Sequence, residues 1–276
     1  MPPKARVPSF GSQEYWDQRF TKETAPFDWL SSPDALDPFI REALQDVEDV
    51  KPQILHIGCG SSLLSHHLQN HVEVPQQVHN VDYSKVVIEA ERKRELALRK
   101  DVNACMRWDA VDLLGHASLV EACTRGAYSV VIDKSTSDAI SCAKDVVCPV
   151  PYPITTTKEV TGSRRVEVEP KEVPIHPLHI MAVHLALVAK PGASWISLSY
   201  TSERYPFLEG EPAKTQEDGT ADSGIPDPRL LWTVVGKHEI EAKEQANGTG
   251  VTHRPKVYHW LYILQRSSVP LFYNES

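Results

Sequence analysis

The stretch "ILHIGCGSSLLSHHLQN", Ile54 to Asn70, decides how the chain reads. Four strand-like positions, Ile54 to Ile57, run into Gly58-Cys59-Gly60 and then into a helix-like stretch from about Ser61 that carries no charged residue. A strand that stops at two glycines and starts a helix turns tightly and brings backbone N–H groups close to a ligand, an approach that a side chain would block. By itself the turn fits a phosphate, a dinucleotide or a plain strand end.

Further apolar, β-rich runs recur at "QVHNVDY", "NACMRWDA", "YSVVIDKS", "ASWISLSY", "LWTVVGKHEI" and "VYHWLYILQRS", so seven strands are indicated. Between them lie "SSLLSHHLQ", "KVVIEAERKRELALRK" and "HPLHIMAVHLALVAK", the last placing Leu178, Met181, Leu185 and Val188 on one helical face. Alternating strands and helices predict a parallel sheet covered on both sides. Only the polar "EAKEQANGTGVTHRP" separates the sixth and seventh strands, which predicts a hairpin and an antiparallel last strand. Two segments stand outside the pattern. Lys144 to Pro174 reads as an insertion forming a small hairpin after the fourth strand, and Glu209 to Pro228 as a mobile loop after the fifth.

The bulk numbers set limits. A chain of 276 residues, 41% hydrophobic and 24% charged, supports one large α/β domain with a real core. A formal charge of −8 argues against general attraction to nucleic acid. Five cysteines, Cys59, Cys105, Cys123, Cys142 and Cys148, form no CxxC pair and follow no secretory leader, and "IMAVHLALVA" is too short to span a bilayer. The expectation is a single-domain cytoplasmic protein with reduced thiols and no membrane partner.

The ends of the strands carry the chemistry. Asp82, in "VHNVDYS", falls where the second strand closes and can accept both hydroxyls of a ribose. Leu63 occupies the place of the third glycine in GxGxxG, so packing against a pyrophosphate is not specified, and S-adenosylmethionine fits better than a dinucleotide. Asp109 and Ala110, in "RWDAVDLL", either read an adenine edge or cap a helix starting there. Asp133 and Lys134 sit at the carboxyl edge of the sheet, where reacting groups collect in open α/β folds.

Together "YWDQRF", "FDWL", "ILHIGCGSSLLS", "NVDYSKVVI", "MRWDAVDLL" and "VIDKSTSDAI" resemble the methyltransferase-like group that includes the elongation factor 1A lysine and N-terminal methyltransferases. The likeness runs from Tyr15 to about Ile140, and the later strands match only in layout. It implies a class I fold: a Rossmann-like, seven-stranded, mostly parallel α/β sheet with an antiparallel last strand and helices on both faces. It further implies S-adenosyl-L-methionine held by Gly58, Cys59, Gly60 and Ser62 at the methionine part, Asp82 and Tyr83 at ribose and adenine, and Asp109 and Ala110 at the base. Residues 1–50 would cover the cofactor, with Tyr15, Trp16, Arg19 and Trp29 closing the pocket and Arg19 bonding the cofactor carboxylate.

Methyl transfer from a sulfonium is an in-line displacement, which asks the protein to align acceptor and methyl and to exclude water. Asp133, Lys134 and Asp138 are the candidate catalytic residues: the two carboxylates to orient an acceptor amine, and Lys134 to tie down a loop. The family-implied acceptor is a protein lysine or N-terminus, with elongation factor 1A as partner. The alternatives are a small-molecule N- or O-methyltransferase, favoured by a buried apolar cavity, and a cofactor-binding module without turnover. Departures from the family, Ser135 where a glycine often follows Asp-Lys and the insertion at 144–174 beside the acceptor site, leave the acceptor less specified than the donor. No metal site is expected, because "HPLH" (His176 to His179) and "SHH" (Ser65 to His67) lack a partner at zinc-site spacing.

Overall fold

The computed structural model describes residues 8–47, 49–157, 171–210, 224–242 and 256–274. The strands are β1 (Ile54–Ile57), β2 (Val78–Asp82), β3 (Arg107–Ala110), β4 (Tyr128–Lys134), β5 (Val146–Val150), β6 (Ile154–Thr155), β7 (Lys171–Ile175), β8 (Ala189–Ser199), β9 (Trp232–Glu241), β10 (Tyr258–Arg266) and β11 (Phe272–Tyr273). The α-helices are α1 (Gln13–Lys22), α2 (Asp37–Gln45), α3 (Leu64–Leu68), α4 (Lys85–Arg99), α5 (His116–Ala122), α6 (Thr136–Ile140), α7 (Pro177–Val188) and α8 (Pro228–Leu231).

The seven strands read from the sequence form one sheet in the order β3-β2-β1-β4-β8-β10-β9. β1 lies parallel to both β2 and β4, with Ile54 beside Val78 and Val130, while β10 runs antiparallel to β8 and β9. The fold is therefore Rossmann-like, mostly parallel, with an antiparallel end. The order reverses between β1 and β4, and ligand crevices open at the carboxyl ends of the strands at such switch points.

Side chains alternate along the buried strands and split the core in two. On one face Ile54, Val78, Val130 and Ile132 meet Leu36, Ile40 and Ala43 of the α2 region, Leu64 and Leu68 of α3, and Val87 and Ile88 of α4. On the other, Leu55, Ile57, Val81 and Val131 meet Leu119 of α5 and the residues of α7. Helix α7 departs from the expected one-sided stripe: all of its residues but His179 are buried. It lies under both the sheet and the 144–174 segment, whose Cys148, Tyr152 and Ile154 join the same cluster, so an apolar surface all round is what its position demands.

The insertion pairs β5 with β7 antiparallel, from Val146 beside Ile175 to Val150 beside Lys171. Between those strands, β6 turns away to pair with β11 near the end of the chain, a contact the sequence reading lacks. Residues 158–170 of the insertion, 211–223 of the second unusual loop and 243–255 between β9 and β10 lie outside the described residues. All five cysteines are free thiols. Among the described residues no helix is long and apolar enough to cross a membrane.

Candidate active site

A cavity of about 510 Å³ opens at the carboxyl ends of β1, β2 and β4, lined by the Gly58–Ser62 turn, Asp82 and Tyr83, Lys134 to Thr136, and aromatic side chains of the N-terminal segment. Its floor is set by backbone geometry. Gly58 and Gly60 both have φ of +51°, in the left-handed region where a Cβ is strained. A Cβ on Gly58 would also stand 2.2 Å from Thr136 Oγ1, whose hydroxyl donates to the Ile57 carbonyl at 3.0 Å. Gly58 is thus required twice, by its dihedral and by α6 pressing against the turn. At Gly60 the nearest neighbour of such a Cβ is the flexible ring of Phe20, at 3.4 Å.

Asp82 ends β2 with its carboxylate almost wholly buried. One oxygen accepts from Gly60 N at 3.0 Å and the other from Ser84 N at 2.9 Å, so the residue fixes the glycine turn and the start of α4 together. Burial pushes its pKa up to about 6, against the pull of those two N–H groups, and the nearby Asp17 adds to the rise. Cys59 lines the same turn, but its thiol is buried and held well above the ordinary cysteine range by desolvation, so it is no nucleophile. Its backbone does the positioning, with the N–H donating to the Val81 carbonyl at 3.1 Å.

The N-terminal segment roofs the cavity with Phe10, Trp16, Phe20, Phe27 and Trp29. Trp16 and Phe20, one helical turn apart on α1, stack with ring centroids 5.7 Å apart. The Arg19 guanidinium lies 4.3 Å from the Phe27 ring centroid and 5.3 Å from that of Trp29, with an ion pair to Glu23 at 3.3 Å. Gly11 closes the other side: a Cβ there would stand 2.5 Å from the Ala143 backbone nitrogen. Tyr15 packs edge-on against Phe10 and Trp16 and is not among the lining residues.

The roof is anchored by charge. Lys134 Nζ donates to Asp28 Oδ1 at 2.6 Å and to the Trp29 carbonyl at 3.2 Å, and the hydroxyl of Ser62 donates to the same Asp28 oxygen. Burial lowers the Lys134 pKa, which the Asp28 carboxylate opposes.

Two expected roles do not match the placement of the side chains. Asp133 is fully buried beneath the site and is not a lining residue. Its carboxylate accepts from Thr136 N at 2.9 Å, Ser137 N at 3.2 Å and the hydroxyls of Ser137, Ser197 and Tyr205, which leaves it organising the β4–α6 turn rather than facing an acceptor. Asp109 turns to His79 Nε2, 2.9 Å away, and to Arg92 at 3.7 Å, so it neither lines the cavity nor caps a helix. Ala110 is likewise outside the lining; Val111, Asp112, Leu113 and Leu114, just beyond β3, take that side of the pocket. The reason is the pleat. Asp109 pairs with Val81 in β3 and its side chain follows the strand's alternation to His79, whereas the chain past β3 leaves the sheet and is free to turn inward.

Asp138 does line the cavity, but its carboxylate is engaged by Arg204 at 2.7 Å, Ser199 Oγ at 2.5 Å and Tyr200 N at 3.2 Å. Ser135, a lining residue, adopts φ of +68°, a conformation that favours glycine, and its buried Oγ has no hydrogen-bond partner among the described residues. Phe10, Phe20, Asp28 and Thr136 were not singled out by sequence. Phe20 carried a signal in its i,i+4 spacing from Trp16; Phe10 carried none.

Comparison with known proteins places this geometry. No protein-family model matches the chain. Methyltransferase srdJ of Neurospora crassa is 38% identical over 139 residues, which cover 50% of this chain and 57% of that protein, so the chain matches little more than half the length of this curated relative. A solved SAM-dependent methyltransferase from Anabaena variabilis superposes with a TM-score of 0.52 at 9% identity, covering 95% of this chain and 96% of its own. A structure from the conversion of a disulfide bond into a thioacetal group during echinomycin biosynthesis gives 0.51 at 15% identity, covering 92% and 91%. The strand order, the antiparallel end and these superpositions agree that the chain has the class I methyltransferase fold.

Proposed function

We propose that the protein is an S-adenosylmethionine-dependent methyltransferase acting on a small molecule. The observation that carries this reading is the cavity of about 510 Å³ over the Gly58-Cys59-Gly60 turn, lined by aromatic rings and bordered by the buried Asp82 carboxylate. Its volume and mostly apolar walls suit small-molecule binding. The likeness to a curated methyltransferase over half the chain supports the reaction class.

The residues present fit the donor. Asp82 offers a carboxylate to two ribose hydroxyls, and the glycine turn offers close backbone approach. S-adenosylmethionine, when bound, supplies an electrophilic methyl group on sulfur. Arg19 would pair with its carboxylate, and Val111 to Leu114 would border the base in place of Asp109 and Ala110. Lys134 holds the roof through Asp28, and Trp16, Phe20 and Trp29 exclude water from the reacting groups. With Asp133 committed to the β4–α6 turn and Asp138 to Arg204, acceleration rests on alignment and desolvation rather than on a side-chain base.

The same observations favour a small acceptor over elongation factor 1A. A basic protein tail calls for an acidic approach, whereas the Asp138 carboxylate at this cavity is neutralised by Arg204 and aromatic rings form the roof. Incubation with tritiated S-adenosylmethionine and a fractionated cell extract tests the reading. Label in the small-molecule fraction is expected; label confined to protein would return the protein-lysine alternative, and binding without label anywhere would leave a module without turnover.

A further inference from the structure

On the face of the sheet opposite α7, the fold gathers three metal-ligating side chains that are far apart in sequence. Asp37 is the first residue of α2, and His67 and His71 lie four apart in α3 and the 3-10 turn that follows it, so both rings fall on one side. Asp37 Oδ1 lies 2.5 Å from His67 Nε2 and 2.9 Å from His71 Nε2, and one donor atom from each residue falls within 4.8 Å of the others. We propose that Asp37, His67 and His71 form a binding site for a divalent transition-metal ion, with zinc as the fitting probe.

The chemistry of the donors selects the ion class. Two imidazole nitrogens and one carboxylate oxygen suit zinc and its first-row neighbours, whereas calcium and magnesium call for oxygen ligands throughout. Ligand atoms on a tetrahedral zinc stand about 3.3 Å apart for bonds near 2.0–2.1 Å. The present separations are shorter because one carboxylate oxygen serves both rings, and a rotation of the Asp37 side chain opens them by under about 1 Å. Side-chain exposures of 27% for Asp37, 24% for His67 and 8% for His71 leave the cluster partly open to solvent, from which water would complete the coordination.

The anchoring is firm on both sides. Leu36 and Ile40 bury α2 against the sheet, and Leu64 and Leu68 bury α3 in the same cluster. A bound ion would therefore staple the helix that follows the N-terminal roof to the helix that follows the Gly58–Gly60 turn. Spacing within either segment does not reveal the set, because its carboxylate comes from 30 residues upstream of His67.

The site is tested on untagged, chelator-treated protein by calorimetric titration with zinc and by the visible spectrum of the cobalt(II) form. One equivalent binding with tetrahedral nitrogen and oxygen cobalt bands is expected, and the His67→Gln/His71→Gln variant should weaken zinc binding by more than about tenfold while keeping the parent's far-ultraviolet circular dichroism. Zinc should also raise the melting temperature of the parent and not of the variant. Equal zinc affinity in parent and folded variant, a cobalt spectrum dominated by thiolate charge transfer, or no binding to the parent overturns the proposal. None of these readouts depends on methyl transfer.

Discussion

Lys134 Nζ lies 2.6 Å from Asp28 Oδ1, which joins the carboxyl end of β4 to the N-terminal roof across 106 positions of sequence. The ammonium is almost wholly buried, and the same Asp28 oxygen receives the Ser62 hydroxyl from the glycine turn. Three segments that bound the cavity thus share one carboxylate. Asp28→Ala leaves a buried charge with its ion-pair partner removed and is expected to cost about 3 kcal/mol in urea unfolding. Adding Lys134→Met should recover part of that loss. A single-variant cost within about 0.5 kcal/mol of zero would show that the pair does not hold the roof.

The two glycines of the turn should respond differently. Gly58→Ala meets both an unfavourable φ and the Thr136 side chain at 2.2 Å, whereas Gly60→Ala meets mainly the dihedral penalty of about 1–2 kcal/mol. Thermal melts and S-adenosylmethionine titration of both variants are expected to rank Gly58→Ala as the more damaged on each count. The reverse order would contradict the packing of α6 against the turn.

The proposed seat of the donor ribose on Asp82 predicts that donor binding depends on pH. Its burial raises the pKa from the usual 3.8 to about 6, so the carboxylate proposed to accept the ribose hydroxyls is lost as pH falls through about 6. S-adenosylmethionine affinity should therefore drop below that point, and the inflection should vanish in Asp82→Asn. The linkage to stability has the opposite sign. Because the folded state binds this proton more tightly than the unfolded chain, the residue's contribution is fully present below about pH 4 and is lost as pH rises through about 6. Parallel unfolding curves of parent and Asp82→Asn between those limits measure it.

Much of the sheet was legible because each buried strand is a short apolar run bounded by turn or charged residues, as in "YSVVIDKS". The glycine turn and Asp82 were legible for the same reason: strand ends at a switch point are fixed by local pattern. What failed depended on distance or on side-chain direction. Asp133 and Asp109 were placed at the right strand ends, yet neighbours from other strands, Ser197 and His79, claim their carboxylates. Asp28 and Phe10 become site residues only through partners in segments that sequence spacing does not join, and the β6–β11 pairing arises the same way.

The most direct measurement is calorimetric titration of S-adenosylmethionine into the parent protein and into Asp82→Ala. With the donor seated over Gly58-Cys59-Gly60 and its ribose on Asp82, the parent should bind one equivalent and the variant should bind at least about tenfold more weakly, a loss of about 1.4 kcal/mol. Equal affinity in the two proteins, or no binding to the parent, would contradict the assignment of this cavity to the methyl donor.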